Sequence, residues 1–123
     1  MIWLLVAIGG ALGSVARYAL STFVLRATGT LFPLGTFVVN AVGCLVFGLI
    51  IGAADQRFTL TPQARAFVLA GVLGGFTTFS SYVFESAGLI RDGQMGAAIV
   101  NVAGQVIAGL AAFWIGAALG GLR

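Results

Sequence analysis

Residues 74–85 read GGFTTFSSYVFE, and they sit inside an apolar run that extends from about 65 to 90. A lipid-facing helix has no use for four hydroxyls followed by a tyrosine and a carboxyl group. Gly74-Gly75 ahead of Thr77-Thr78 predicts a helix that breaks near its centre. Glycine removes side-chain constraint, and neighbouring hydroxyls can bond the backbone groups that a break releases. Irregular backbone at membrane depth is tolerated only inside protein or against water. Carbonyls freed at one such point form a site for a hard cation. Phe79 and Tyr82, three apart, share a face, which by itself reads as packing. Ser80, Ser81 and Glu85 surround the same turn, and an ionisable group inside a span is a functional candidate. Protonated burial or an arginine partner for Glu85 is the competing reading.

The rest of the chain confirms lipid as the solvent. It has 123 residues, 60% of them hydrophobic and only 7% charged, whereas soluble domains average about a quarter charged. A bilayer core takes roughly 20 apolar residues at about 1.5 Å rise each. Four spans fit, about 2–25, 35–54, 65–90 and 95–120, with connections too short for a soluble domain. One all-α integral membrane domain over residues 1–123 is therefore expected. The opening MIWLLVAIGG lacks the basic start of a signal peptide and reads as a retained helix.

Composition also removes whole classes of function. The net charge of +3 comes from six arginines placed mostly at helix ends, with no basic stripe for nucleic acid. Histidine is absent and Cys44 is solitary, which excludes the usual Cys/His metal clusters. No nucleophile, base and acid can be assembled, so the chain does not read as an enzyme. Four spans place the N-terminus, the 55–64 loop and the C-terminus on one side, with Arg57, Arg65 and Arg123. Arg26 and Arg91 fall on the other, with Arg17 partway into the first span. So small a bias is compatible with insertion both ways round, or with one orientation set by weak signals.

Polar residues recur on the other spans. In the first, Gly9 and Gly13 form a small-xxx-small step for close helix approach, and Arg17 follows on the same face. It is either an interfacial anchor or the lining of a wet vestibule. In the second, after Pro33, Thr36, Asn40, Gly43 and Phe47 form one helical stripe. Asn40 carries two donors and an acceptor; its bland role is an interhelical hydrogen bond of about 0.6–2 kcal/mol. Thr61-Pro62 resembles an N-cap and first-turn pair. The fourth span places Asn101 and Gln105 at i, i+4 as a second polar ladder. A lone four-helix unit has little interior, so these faces are expected to meet a second copy of the chain.

Such a surface suits a small anion. Crossing a bilayer means losing hydration, so the path must supply donors and positive dipole ends, with several moderate contacts rather than one deep well. Amide N–H groups and hydroxyls donate, and aromatic ring edges carry positive potential. Asn40, Phe79, Ser80, Ser81 and Tyr82 meet that need, and Arg17 at the mouth would concentrate anions.

With these residues in view, the sequence resembles the small fluoride channels of the Fluc (CrcB) family. The likeness rests on GGALGSVARY at 9–18, GTFVVNAVGCLVFG at 35–48 and GVLGGFTTFSSYVFE at 71–85, in that order. The resemblance implies an antiparallel, dual-topology homodimer with two fluoride pores. It implies a broken third helix and a structural Na⁺ on the dimer axis, held by main-chain carbonyls that by motif position belong to Gly74 and Thr77. It places Phe79 and Tyr82 as the pore aromatics, Asn40 and Arg17 as the second-span asparagine and first-span arginine, and Glu85 in the anion pathway or in structure. It further implies passive export of fluoride across a microbial inner membrane, with no protein partner beyond the second copy. Fluoride that enters as neutral HF and ionises inside needs no energy coupling to leave. Two departures stand out: TTFSSY at 77–82 replaces the commoner TTFSTF, and Asn101 and Gln105 replace hydroxyls on the fourth span. The rival of similar size is a small multidrug transporter coupled to protons. It carries its glutamate on the first helix, where this chain has none. A non-transporting scaffold would explain the glycines but leave the clustered donors without purpose.

Overall fold

A computed structural model describes residues 1–122; Arg123, assigned above to the loop side, lies outside the described residues. The chain folds as α1 (Ile2–Thr28) and α2 (Leu34–Gln56), then α3 over residues 62–76, α4 (Phe79–Arg91) and α5 (Met95–Gly120). Counting 62–91 as one crossing, four helical spans among the described residues are long and apolar enough to cross a membrane. The first three extend one to three residues beyond the spans expected from hydropathy, because polar ends such as Asp55 and Gln56 remain helical, and the fourth coincides with its expected bounds.

Local chemistry accounts for the ends. α1 stops at Gly29, whose left-handed φ of 61° lets its N–H return to the Leu25 carbonyl. The Thr61 side chain accepts from Ala64 N at 3.1 Å, with Pro62 next, as an N-terminal cap. Residues Arg65–Leu73 then form a π-helical run. Hydropathy gives no hint of it, and such wide turns are rare and concentrate at functional sites.

The helices approach through glycine. α2 lies along α5 with Gly48 against the Phe113 carbonyl and Gly116 against the Leu45 carbonyl. α1 lies along α3, where Gly13 meets the Val72 carbonyl. Dispersion between close backbones, rather than water release, drives such pairing in lipid. The buried core is correspondingly small: Val39, Ala66, Leu73, Leu89, Ala98 and Ala117. Large side chains such as Trp3, Phe23 and Phe84 face outward, the arrangement of a chain solvated by hydrocarbon. Gly116→Val is expected to wedge α2 from α5 and destabilise the fold by about 1–3 kcal/mol or more. Gly88→Ala, where an added methyl meets nothing within 4 Å, should not. Size-exclusion yield of the two variants checks the pair.

Candidate functional site

Between residues 74–76 and α4 the chain is extended at Thr77 (φ −81°, ψ 154°) and Thr78 (φ −146°, ψ 115°). Backbone groups that leave a helix at membrane depth need partners, and α1 and α2 supply them. Asn40 Oδ1 accepts the Thr78 N–H at 2.9 Å, and its Nδ2 donates to the Thr78 carbonyl at 3.1 Å. Arg17 Nε donates to the Gly75 carbonyl at 3.1 Å. The Thr77 hydroxyl donates to the Leu73 carbonyl at 3.0 Å, and the Thr78 side chain caps α4 by accepting from Ser81 N at 3.2 Å.

These bonds have a consequence for Gly74 and Thr77. In a continuous helix their carbonyls would accept from Thr78 N and Ser81 N. Those two N–H groups go instead to Asn40 Oδ1 and Thr78 Oγ1.

A second network leaves Asn40. Its Nδ2 also donates to Gln105 Oε1 at 2.8 Å, and Gln105 Nε2 donates to Asn101 Oδ1 at 2.9 Å. Asn101 Nδ2 donates to Ser86 Oγ at 2.9 Å, and that hydroxyl donates to the Tyr82 carbonyl at 2.7 Å. Asn101 is wholly buried and Gln105 nearly so. The i, i+4 ladder of α5 is thus tied at one end to α2 and at the other to α4. Ser86 was not singled out by sequence reading; its place one turn beyond Tyr82 was the available signal.

Two clefts flank α4. The first, about 500 Å³, is lined by Asn40, Phe47, Thr77, Thr78, Phe79, Tyr82, Gln105 and Phe113, with Cys44 at its wall. Here the Phe79 and Tyr82 rings lie 5.6 Å apart, tilted by 42°. The Tyr82 phenol donates to the Val102 carbonyl at 2.8 Å, so it anchors the ring to α5 and is not a free donor. The second cleft, about 440 Å³, is lined by Ser14, Arg17, Tyr18, Ser21, Thr36, Thr78, Ser81 and Glu85. In it Thr36 Oγ1 donates to Glu85 Oε1 at 2.8 Å, while Glu85 Oε2 is buried without a partner. Among the described residues Glu85 pairs with no arginine; the one ion pair is Arg91 with Asp92 at 3.9 Å, on the exposed turn. Thr36 belongs to the same stripe as Asn40, but its attachment to Glu85 depends on how α2 meets α4. Ser80 is exposed, 3.4 Å from the Thr78 hydroxyl.

The structure therefore brings Asn40, Phe79, Tyr82 and Gln105 to one cleft and Arg17, Ser81 and Glu85 to the other. Asn101 stands behind the first, and Gly74 and Thr77 lie at the extended segment between them.

Known proteins share this sequence along nearly its whole length. The family described as "CrcB-like protein, Camphor Resistance (CrcB)" matches residues 4–117. A "Fluoride-specific ion channel FluC" of Nitratidesulfovibrio vulgaris strain Miyazaki F is 48% identical over 118 residues, covering 96% of this chain and 95% of that one. One of the same name from Maridesulfovibrio salexigens is 48% identical over 120 residues, covering 98% and 95%. The match spans every helix that builds the two clefts, and on that ground the chain belongs to the CrcB family.

Proposed function

We propose that this integral, multi-pass membrane protein is a fluoride-selective channel that lets fluoride leave the cytoplasm passively. The observation that carries the reading is the full-length likeness to relatives named fluoride-specific channels. A cleft lined by Phe79 and Tyr82 supports it. Ring edges present weak positive potential to an anion. Hydroxyl and amide donors replace its lost water, and several moderate contacts let the ion leave again. Arg17, with Nε on Gly75, keeps its terminal guanidinium nitrogens for the second cleft, where a positive charge raises local anion concentration. No acid–base or nucleophilic step is required, so the protein is a conduit and not an enzyme.

The working assembly in this reading is an antiparallel, dual-topology homodimer in a microbial inner membrane, with two pores. Phe79 and Phe84 are each about three-quarters exposed on the single chain, at 76% and 77%, and a second copy would cover part of that face. A structural Na⁺ fits the donor chemistry of the extended segment. The Gly74 and Thr77 carbonyls have both lost their helical donors, and hard cations take carbonyl oxygens. Two such pairs, one from each copy, would hold the ion and balance their dipoles.

Liposomes loaded with KF or KCl, with a potassium ionophore present, test the reading. Reconstituted protein should release fluoride rapidly and chloride no faster than protein-free vesicles do. Equal release of the two, or none, would sink it, and drug-driven proton uptake would favour the multidrug-transporter alternative. For topology, Thr59→Cys in a Cys44→Ala background should be labelled from both sides of the membrane, roughly half on each. Labelling from one side alone would exclude the antiparallel arrangement.

A further inference from the structure

Gly43 lies one turn beyond Asn40 on the α2 stripe, buried, and lines the aromatic cleft beside Thr77, Thr78 and Phe79. It differs from the other close-contact glycines of α2 and α5. Gly48, Gly52, Gly116 and Gly120 each admit a carbonyl of the neighbouring helix. Gly43 admits a side chain: a Cβ added there would overlap the Thr77 methyl carbon, and the next atoms met belong to the Phe76 ring, at 3.4 and 3.7 Å. The first four let two helices touch, whereas Gly43 takes in one methyl group from the extended segment.

That methyl cannot step aside. Threonine is β-branched, so its methyl and hydroxyl turn together about a single bond. The hydroxyl is held by its 3.0 Å bond to the Leu73 carbonyl, which also accepts Thr77 N at 3.0 Å. Swinging the methyl to another staggered position would break the hydroxyl bond. Residue 77 is thus locked onto the turn before it and seated against α2 at the same time. Asn40 supplies a different restraint. Its carboxamide grips residue 78 from two rotatable bonds and can follow a backbone that shifts, which a filled socket cannot.

Resting on the fluoride-channel reading, we infer that Gly43 is a positioning residue of the aromatic cleft. Its missing side chain is a socket for the Thr77 methyl, and that contact sets how far the extended segment stands from α2. A side chain at 43 drives residue 77 away from α2 and carries the Phe79 ring, two residues on, with it.

The parent, Gly43→Ala, Thr77→Ser and the double variant are compared in fluoride-loaded vesicles. Alanine is the better helix former, so a loss in Gly43→Ala reports the overlap and not a weakened α2. Efflux should fall by roughly tenfold or more in Gly43→Ala, and by less in Thr77→Ser, which empties the socket. The double variant should conduct better than either. Its alanine methyl takes the space that the threonine methyl has left, and serine keeps the bond to Leu73. The ring itself is read by 4-fluorophenylalanine placed at position 79: its ¹⁹F resonance should move in Gly43→Ala and return in the double variant. A double variant no better than Gly43→Ala, or a ¹⁹F signal that ignores both changes, would overturn the inference. So would an equal relief of Gly48→Ala by Thr77→Ser, since that overlap is with the Phe113 carbonyl. If Gly43→Ala does not assemble, the double variant decides, because it must then assemble and conduct. A parent protein that conducts no fluoride overturns the channel reading instead, and the ¹⁹F comparison still shows whether the socket sets the ring.

Discussion

Asn40→Leu should nearly abolish fluoride release. Leucine has similar bulk, so little changes in packing between α2 and α5, but three hydrogen bonds vanish at once. The Thr78 N–H and carbonyl, which have left the helical ladder, are orphaned, and Gln105 Oε1 loses its donor. Orphaned buried groups each cost about 1–3 kcal/mol. Hydrogen bonds in membranes average lower, about 0.6 kcal/mol, because the membrane-embedded reference state finds other partners. Even the lower figure, summed over three bonds, exceeds the ~1.4 kcal/mol that corresponds to tenfold in an equilibrium, and the loss falls on residues 77 and 78. Apart from the packing of the Thr77 methyl on Gly43, those residues have no other hydrogen bond to α2 and would re-pair locally, moving Phe79. The expectation is a fall in flux on the order of 100-fold with helical content retained, read by vesicle efflux and circular dichroism. Asn40→Asp should fail as well. Its oxygen can still accept from Thr78 N, but the second oxygen would face the Thr78 carbonyl and Gln105 Oε1, where donors are needed. Parental flux in both variants would show that the extended segment holds its shape without the clip.

Much of this arrangement is written locally in the sequence, and the remainder is not. Four crossings follow from long apolar runs with few charges, and the Thr61-Pro62 start follows from capping chemistry. Spacing likewise places Asn101 above Gln105, since i, i+4 on a helix is adjacency. Partners across helices are another matter. Asn40 carries one acceptor and two N–H donors, and nothing in its neighbourhood says that the backbone of residue 78, 38 residues away, takes one of each. Thr36 reads as one more member of the Asn40 stripe, yet it serves Glu85 across the interface with α4. Tyr82 is a departure visible in the sequence, but only the position of α5 turns its phenol toward the Val102 carbonyl. The π-helical run has no signature in apolar periodicity, because its wider turn displaces faces that are all hydrophobic.

The location of the donors also separates two tasks. The second cleft holds the arginine, the carboxyl group and several hydroxyls, so it is the more polar of the two. The first is walled by aromatic rings and offers few polar atoms. In the proposed channel, an ion moving between them would pass the extended segment, where the α4 amino terminus adds its positive end. On that reading attraction would be strongest beside Arg17 and weaker along the aromatic wall, a profile that permits exit as well as entry.

Phe79→Ile tests the stripped part of that path. The ring is 76% exposed on the single chain, so within the chain its loss opens no cavity and should change stability by less than about 0.5 kcal/mol. Isoleucine keeps an apolar surface at the cleft and removes the ring edge, which isolates the quadrupole from mere hydrophobicity. An aromatic contact of about 0.5–1.5 kcal/mol that is lost only for the passing ion lowers flux by up to roughly tenfold. Efflux should fall by that factor while the elution volume of the assembled protein stays put. Tyr82→Phe makes the complementary change, since it keeps the ring edge and removes only the bond to the Val102 carbonyl. Its flux should stay within about fivefold, because one hydrogen bond is worth about 1 kcal/mol at most sites. If Phe79→Ile conducts like the parent and Tyr82→Phe does not, the ring edges are bystanders and the phenol tether to α5 is what shapes the path.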